Sequence, residues 1–146
     1  MPLLRSPAAT TGYAFILSGA AIAYKSKTQT ITATSSTEAE FIAAVAATKT
    51  AKYLPSVLAD LGFPMQGPTR LFEDNMAAIQ MVNAKQPIER SWHIDILYFV
   101  IQDWKEALEI ELVHCPGILN PADDLTKPLG WVLHSRHARR IMGHYT

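Results

Sequence analysis

The order of patterns along this chain predicts an α/β domain, and three stretches carry that reading. Residues 12–17 and 20–24 are short apolar runs, rich in aromatic and β-branched side chains, on either side of Ser18-Gly19. That arrangement is the signature of a β-hairpin. Residues 34–44 read as the start of a helix, because Ser35 and Glu38 have capping-box spacing and an apolar stripe of Phe41, Ile42, Val45 and Ala46 follows. Residues 69–73 form a third signal, a short strand closed by Asp74-Asn75 and continued by a helical pattern over 76–82. An acidic residue at the C-terminal end of a strand, just before a helix, is where open α/β sheets place ligand groups.

Composition bounds what such a domain can do. With 146 residues, 49% of them hydrophobic and 18% charged, the chain fits one domain with a proper core. Its 13 basic and 13 acidic residues cancel, so no net field draws in nucleic acid and any such binding needs a local patch. Cys115 is the only cysteine, which excludes an internal disulfide and suits a reducing compartment. No apolar run is long enough to cross a bilayer, and the first residues lack a signal-peptide pattern, so an intracellular location is expected.

The remaining elements follow in order. Residues 1–10, with Pro2 and Pro7 and no periodicity, are expected to be irregular. The threonine-rich stretch 28–34 either extends the second hairpin strand or pairs as a third. The capped helix should run from Ser36 to about Tyr53, with Lys49 and Lys52 in its last turns opposing the dipole. Pro55 then kinks it or opens a second helix, and Gly62, Pro64, Gly67 and Pro68 mark a loop. After a loop at Pro87, an apolar helix runs from Trp92 through Trp104, and residues 109–114 alternate as a half-buried strand. Cys115-Pro116-Gly117 turns the chain, and Asn120 caps a helix that has Pro121 in its first position. Pro128 and Gly130 stop it. Residues 131–145 then make a short amphipathic helix carrying Arg136, Arg139 and Arg140. The chain divides into 1–10, a domain over 11–129, and a basic tail over 130–146.

Three acidic positions share one description: Glu40 early in a helix, Asp74 at a strand end, Asp123 at a helix start. With Glu38 used on the cap, Glu40 sits among Ala39, Phe41, Ile42, Ala43 and Ala44, which is not the setting of a solvated charge. Converging carboxylates need a counter-charge, and Mg²⁺ suits them because it takes one or two carboxylates with phosphate oxygens and water. Two such ions ~3.5–4 Å apart stabilise both the attacking and the leaving oxygen of an in-line phosphodiester displacement. The competing reading is that these acids are ordinary helix caps.

The run Thr11-Gly12-Tyr13-Ala14-Phe15, Ser35-Ser36-Thr37-Glu38-Ala39-Glu40-Phe41, Glu73-Asp74-Asn75, His93-Ile94-Asp95 and Asn120-Pro121-Ala122-Asp123-Asp124-Leu125-Thr126-Lys127-Pro128 resembles the ribonuclease H domain of copia-type LTR retrotransposon polyproteins. Five motifs in family order cover residues 11 to 129. The resemblance implies a mixed sheet flanked by helices, with a Mg²⁺ (or Mn²⁺) carboxylate cluster that cuts the RNA strand of an RNA–DNA hybrid. It also implies a neighbouring reverse transcriptase domain in the same polyprotein, in a cytoplasmic virus-like particle or the nucleus. Carried onto this sequence it marks Glu40, Asp74 and Asp123 as metal-binding catalytic residues, with Asp124 the alternative to Asp123 one place on. His114 lies where related enzymes keep a mobile histidine that aids product release; a solvent-facing strand-end histidine is the competing reading. His93 and Asp95 belong to a motif with no assigned chemistry.

One departure stands beside the matches. The family's first strand, central in its sheet and carrying the first metal-binding aspartate, has no counterpart in residues 1–10, which contain no acidic residue. Its loss should leave two unpaired edges inside the sheet. The expectation is therefore a polyprotein fragment or decayed copy with little nuclease activity alone. Nucleic-acid contact would come from Lys25, Lys27, Lys49 and Lys52 near the site and from Arg136, Arg139 and Arg140 in the tail, unless the tail simply packs Trp131, Ile141 and Met142 on the core. Two alternatives are an inactive ribonuclease H-like relic that binds or does nothing, and an integrase-like transferase in which Asp74 and Glu109 are the paired acids.

Overall fold

In a computed structural model the described residues are 8–31, 33–84 and 92–144. The expectations for residues 1–7, for the Pro87 loop and for Tyr145 lie outside them, as do the side chains of Trp92 and His93.

The chain opens with the expected hairpin, β1 (Thr10–Leu17) and β2 (Ala20–Thr28), paired antiparallel. Ser18 and Gly19 at its tip both have positive φ, as a tight two-residue hairpin turn requires. The second strand ends at Thr28, and no third strand forms among the described residues 29–34. Instead Gln29 ties the hairpin to the next helix: its Nε2 donates to Thr11 Oγ1 at 3.1 Å and to the Ala39 carbonyl at 2.8 Å.

Helix α1 (Ser36–Asp60) starts at the Ser35 cap, whose hydroxyl accepts from Glu38 N–H at 3.1 Å. Glu38 returns the bond one residue earlier than a capping box would, accepting from Thr34 N–H and Thr34 Oγ1 at 2.7 Å each. The helix passes through Pro55 instead of ending near Tyr53. Proline removes the N–H that would bond the Ala51 carbonyl, and the Thr69 hydroxyl takes that place at 3.3 Å.

The second half of the chain gives β3 (Thr69–Glu73), α2 (Met76–Asn83), α3 (Trp92–Glu106) and β4 (Ile110–His114). Asn75 caps α2 by accepting from the N–H groups of Ala77 and Ala78. Strands β3 and β4 pair in parallel. The Asn120-capped segment is a 3₁₀ turn, Pro121–Leu125, preceded by another at Gly117–Leu119. Helix α4 (Trp131–Met142) closes the described chain and stops at Gly143, in the left-handed conformation.

The core lies on one side of α1. Phe41, Ile42, Val45 and Ala51 meet Met81 and Val82 of α2, Ile94, Tyr98 and Ile101 of α3, and Ile110 of β4. Among the described residues the hairpin and the β3–β4 pair are separate two-stranded sheets, with a cleft of about 780 Å³ between them. The architecture is mixed α/β and compatible with a ribonuclease H-like arrangement. No described helix is long and apolar enough to cross a membrane.

Candidate metal centre

The acidic residues gather where α1 begins, β3 ends and the Pro121–Leu125 turn packs. Capping by Ser35 and Glu38 fixes the first turns of α1, so Glu40 points from the second turn toward the end of β3. Carboxylate oxygens of Glu40, Glu73 and Asp74 all lie within 4.8 Å of one another. Asp123 reaches the same place from the 3₁₀ turn. A β-carbon placed on Gly117 would lie 2.9 Å from Asp74 Oδ2 and 3.6 Å from Asp123 Oδ2, so both carboxylates flank one glycine.

Electrostatics register the crowding. Burial first, then the charges of Asp74 and Asp123, push the Glu40 carboxyl above its ordinary range, with Lys127 opposing. Burial pushes Glu73 up to about 8, helped by Glu40 and Asp74 and opposed by the bond it accepts from Asn75 N–H at 2.9 Å. Burial and the neighbouring carboxylates thus favour the neutral form of Glu73, which lowers the charge the cluster must hold. The nearby cation is Lys127, whose ammonium lies 2.9 Å from Asp123 Oδ2. That contact raises the lysine further above its usual value.

Glu73 is a member of this cluster that the sequence pattern places only in the strand. The adjacent pair Glu73-Asp74 was the available signal, but strand alternation alone does not say which acid turns inward. Of the two adjacent aspartates, Asp124 Oδ1 lies 2.6 Å from His134 Nδ1, while Asp123 Oδ2 lies beside the same Gly117 as Asp74 Oδ2. His114 is exposed at the end of β4, in register beside Glu73.

The basic residues do not form one patch at the carboxylates. Lys49 and Lys52 are about 14 and 18 Å farther along the axis of α1 than Glu40. Lys52 pairs with Glu109 at 3.3 Å and lies over the Trp104 ring, so it is engaged elsewhere. Lys25 and Lys27 are exposed on β2, and Arg136 and Arg139 on α4. Arg140 donates to the Leu119 carbonyl at 3.0 Å and borders the cleft. The tail does not pack as an apolar plug: α4 buries His137 and leaves Trp131 and Met142 exposed. Glu109 sits at the opposite end of the sheet from Asp74, its carbonyl accepting from Thr69 N–H where β3 begins. Five strand residues separate the two acids, roughly 16 Å, which removes the integrase-like pairing.

The chain is similar to a segment of three plant transposon polyproteins. It is 36% identical over 118 residues to the retrovirus-related Pol polyprotein from transposon TNT 1-94 of Nicotiana tabacum, covering 81% of this chain and 9% of that protein. It is 30% identical over 132 residues to the retrovirus-related Pol polyproteins from transposons RE2 and RE1 of Arabidopsis thaliana, covering 90% of this chain and 9% of each. The chain therefore spans about a tenth of the length of these curated relatives. No family model and no solved structure matches it.

Proposed function

We propose that this retrotransposon-derived chain is a copia-type ribonuclease H region, whose site hydrolyses the RNA strand of RNA–DNA hybrids with Mg²⁺ or Mn²⁺. The observation that carries the reading is the cluster of Glu40, Glu73 and Asp74, whose carboxylate oxygens lie within 4.8 Å of one another, with Asp123 beside the same Gly117 as Asp74. An all-carboxylate donor set fits these hard cations. Glu40, Asp74 and Asp123 would hold them, and the bound ions would supply charge stabilisation for phosphodiester displacement. Exposed His114 stands beside the cluster, placed to meet leaving product. Lys25, Lys27, Arg136 and Arg139 offer phosphate contacts that carry no sequence readout, and a hybrid is distinguished by its 2′-hydroxyls. The partners on this reading are the hybrid and the polyprotein's reverse transcriptase domain, inside a virus-like particle or the nucleus.

Cleavage by this chain alone is expected to be weak, because among the described residues the carboxylates lie between two sheets that no strand joins. A second reading, a catalytically silent nucleic-acid-binding module, is favoured by Lys127, which already supplies a counter-charge to Asp123. Calorimetric titration with Mg²⁺ and Mn²⁺ separates the two. A working centre binds metal in a way that Asp74→Asn abolishes; identical titrations for both proteins would leave the silent module. Robust hybrid cleavage by the purified chain would overturn the expected weakness.

A further inference from the structure

Among the described residues one cation is paired within the carboxylate cluster, and it is Lys127; the other lysine and arginine ion pairs join Lys52 to Glu109 and Arg70 to Glu111. The Lys127 ammonium lies 2.9 Å from Asp123 Oδ2, the oxygen that stands beside Gly117 together with Asp74 Oδ2. Its charge is felt by Asp74 and Glu40 as well as by Asp123.

An exposed ion pair four residues apart usually contributes little, because two free side chains must be held in one geometry. This pair is fixed at its base. The Asp123 carbonyl accepts from Thr126 N–H at 3.1 Å, from Thr126 Oγ1 at 3.0 Å and from Lys127 N–H at 3.2 Å, so acid and lysine share one locked stretch of backbone. The Asn120 cap on Ala122 N–H and the Ser26 hydroxyl on the Leu125 carbonyl hold the same turn from either side. The side chain of Asp123 is only 14% exposed, against 54% for Lys127, so the lysine reaches in from solvent to a carboxylate that water hardly covers.

The position matters for how many ions the centre can take. Glu40, Glu73 and Asp74 offer oxygens within 4.8 Å of one another, which suits one ion. A second ion ~3.5–4 Å from the first would need an oxygen of its own on the Asp123 side. That oxygen, Oδ2, is engaged by the ammonium, and two cations on one oxygen repel. We propose that the Lys127 ammonium stands in the second ion's place, so that the centre takes a single divalent ion. This rests on the metal-centre reading above and narrows it. Asp123 keeps its other oxygen for the ion that Glu40 and Asp74 hold. The ammonium brings one charge and three N–H donors, enough to meet a phosphate oxygen, but it cannot activate water as a metal ion does.

Calorimetric titration of the full chain with Mn²⁺, read beside its electron paramagnetic resonance spectrum, tests this. The unmodified chain should take up one ion and give the spectrum of an isolated Mn²⁺. Lys127→Met should take up two and show the spectrum of coupled ions. Its second ion should bind at least about tenfold more tightly than any second uptake by the unmodified chain, because a unit charge at contact distance from a divalent ion matters that much even in water. Lys105→Met removes the same charge from a lysine bonded to Asn83 and should still take one ion. Coupled ions in the unmodified chain overturn the proposal, and that measurement decides alone if Lys127→Met does not fold. One ion in Lys127→Met overturns it as well. A second ion in Lys105→Met would do the same, since net charge would then be the cause. In each of those cases, binding that Asp74→Asn abolishes leaves the metal centre standing. Identical titrations of the unmodified chain and Asp74→Asn remove the centre and this proposal together.

Discussion

The half of the molecule built on α2, α3 and the β3–β4 pair is held by burial; the half built on the hairpin, the Pro121–Leu125 turn and α4 is held by polar ties. On the first side Phe41, Val82 and Ile101 are fully enclosed. On the second, apart from Phe15 against that cluster and Gly12 close against Thr126, the ties are the Ser26 hydroxyl on the Leu125 carbonyl at 2.6 Å, Arg140 on the Leu119 carbonyl, and His134 on Asp124. Helix α4 buries one side chain among the described residues, His137, and both of its ring nitrogens lack partners. Burial is non-directional and sums to a cooperative unit, whereas exposed polar ties contribute little each. The carboxylates lie on the seam: Glu40, Glu73 and Asp74 come from the firm side and Asp123 from the loose one. The centre's geometry is therefore set by how the halves are joined.

The largest expected effect breaks the firm half. Ile101→Ala removes a fully buried side chain that touches the main cluster. It should cost about 2–5 kcal/mol. Met142→Ala on α4, where the residue is 67% exposed, should change stability by no more than about 0.5 kcal/mol. Urea unfolding of both variants checks the contrast, and comparable losses would erase the distinction between the halves.

Next comes a change confined to the loose side. A β-carbon on Gly12 would lie 2.5 Å from Thr126 Cγ2 and 3.0 Å from the Leu125 backbone, which cannot retreat as a flexible side chain can. Gly12→Ala should cost about 1–3 kcal/mol. Amide exchange should show protection lost in β1 and β2 but kept in α3; loss everywhere would make the two halves one cooperative unit.

A smaller effect follows from His137. Burial holds its ring below the ordinary histidine value, against the pull of Asp123 and Asp124 and with the push of Arg136 and Arg140. The unfolded chain takes up a proton near pH ~6.5 that the folded chain refuses. Stability from this residue is present above that pH and falls as pH drops from ~6.5 toward the folded value. In His137→Leu the loss below ~6.5 should be shallower than in the unmodified chain. Unfolding midpoints from pH 5 to 8 provide the comparison, and parallel profiles would show that the ring is not buried in solution.

What could be read in advance was local. The Ser18-Gly19 turn, the Ser35 cap, the strand before Asp74 and the Asn120 cap depend on neighbours within a few residues, and each is found where the pattern puts it. Tertiary partners decided the rest. Helix α1 survives Pro55 because Thr69 takes the freed Ala51 carbonyl, a residue 18 positions from it in sequence. Lys52 reads as a free cation until Glu109 and Trp104 are folded against it. Glu73 reads only as the last residue of a strand until folding buries it beside Glu40 and Asp74. The cleft between the hairpin and the β3–β4 pair was not legible either, because its walls come from strands more than 50 residues apart in the chain.

The smallest expected effect on stability is also the sharpest probe of the seam. Gly117 stands between Asp74 of the firm half and Asp123 of the loose half, and an added methyl would meet Asp74 Oδ2 at 2.9 Å. The atom it meets is the far end of a side chain, which can swing aside without moving backbone. Gly117→Ala should therefore change unfolding free energy by no more than about 0.5 kcal/mol. The swing carries a ligand oxygen away from Asp123, so if the carboxylates share an ion, Mn²⁺ affinity in a calorimetric titration should fall several-fold. Unchanged affinity would mean that Asp74 and Asp123 do not act on one ion. A stability loss as large as that of Gly12→Ala would mean that the seam is as tightly packed as the hairpin's contact with Thr126.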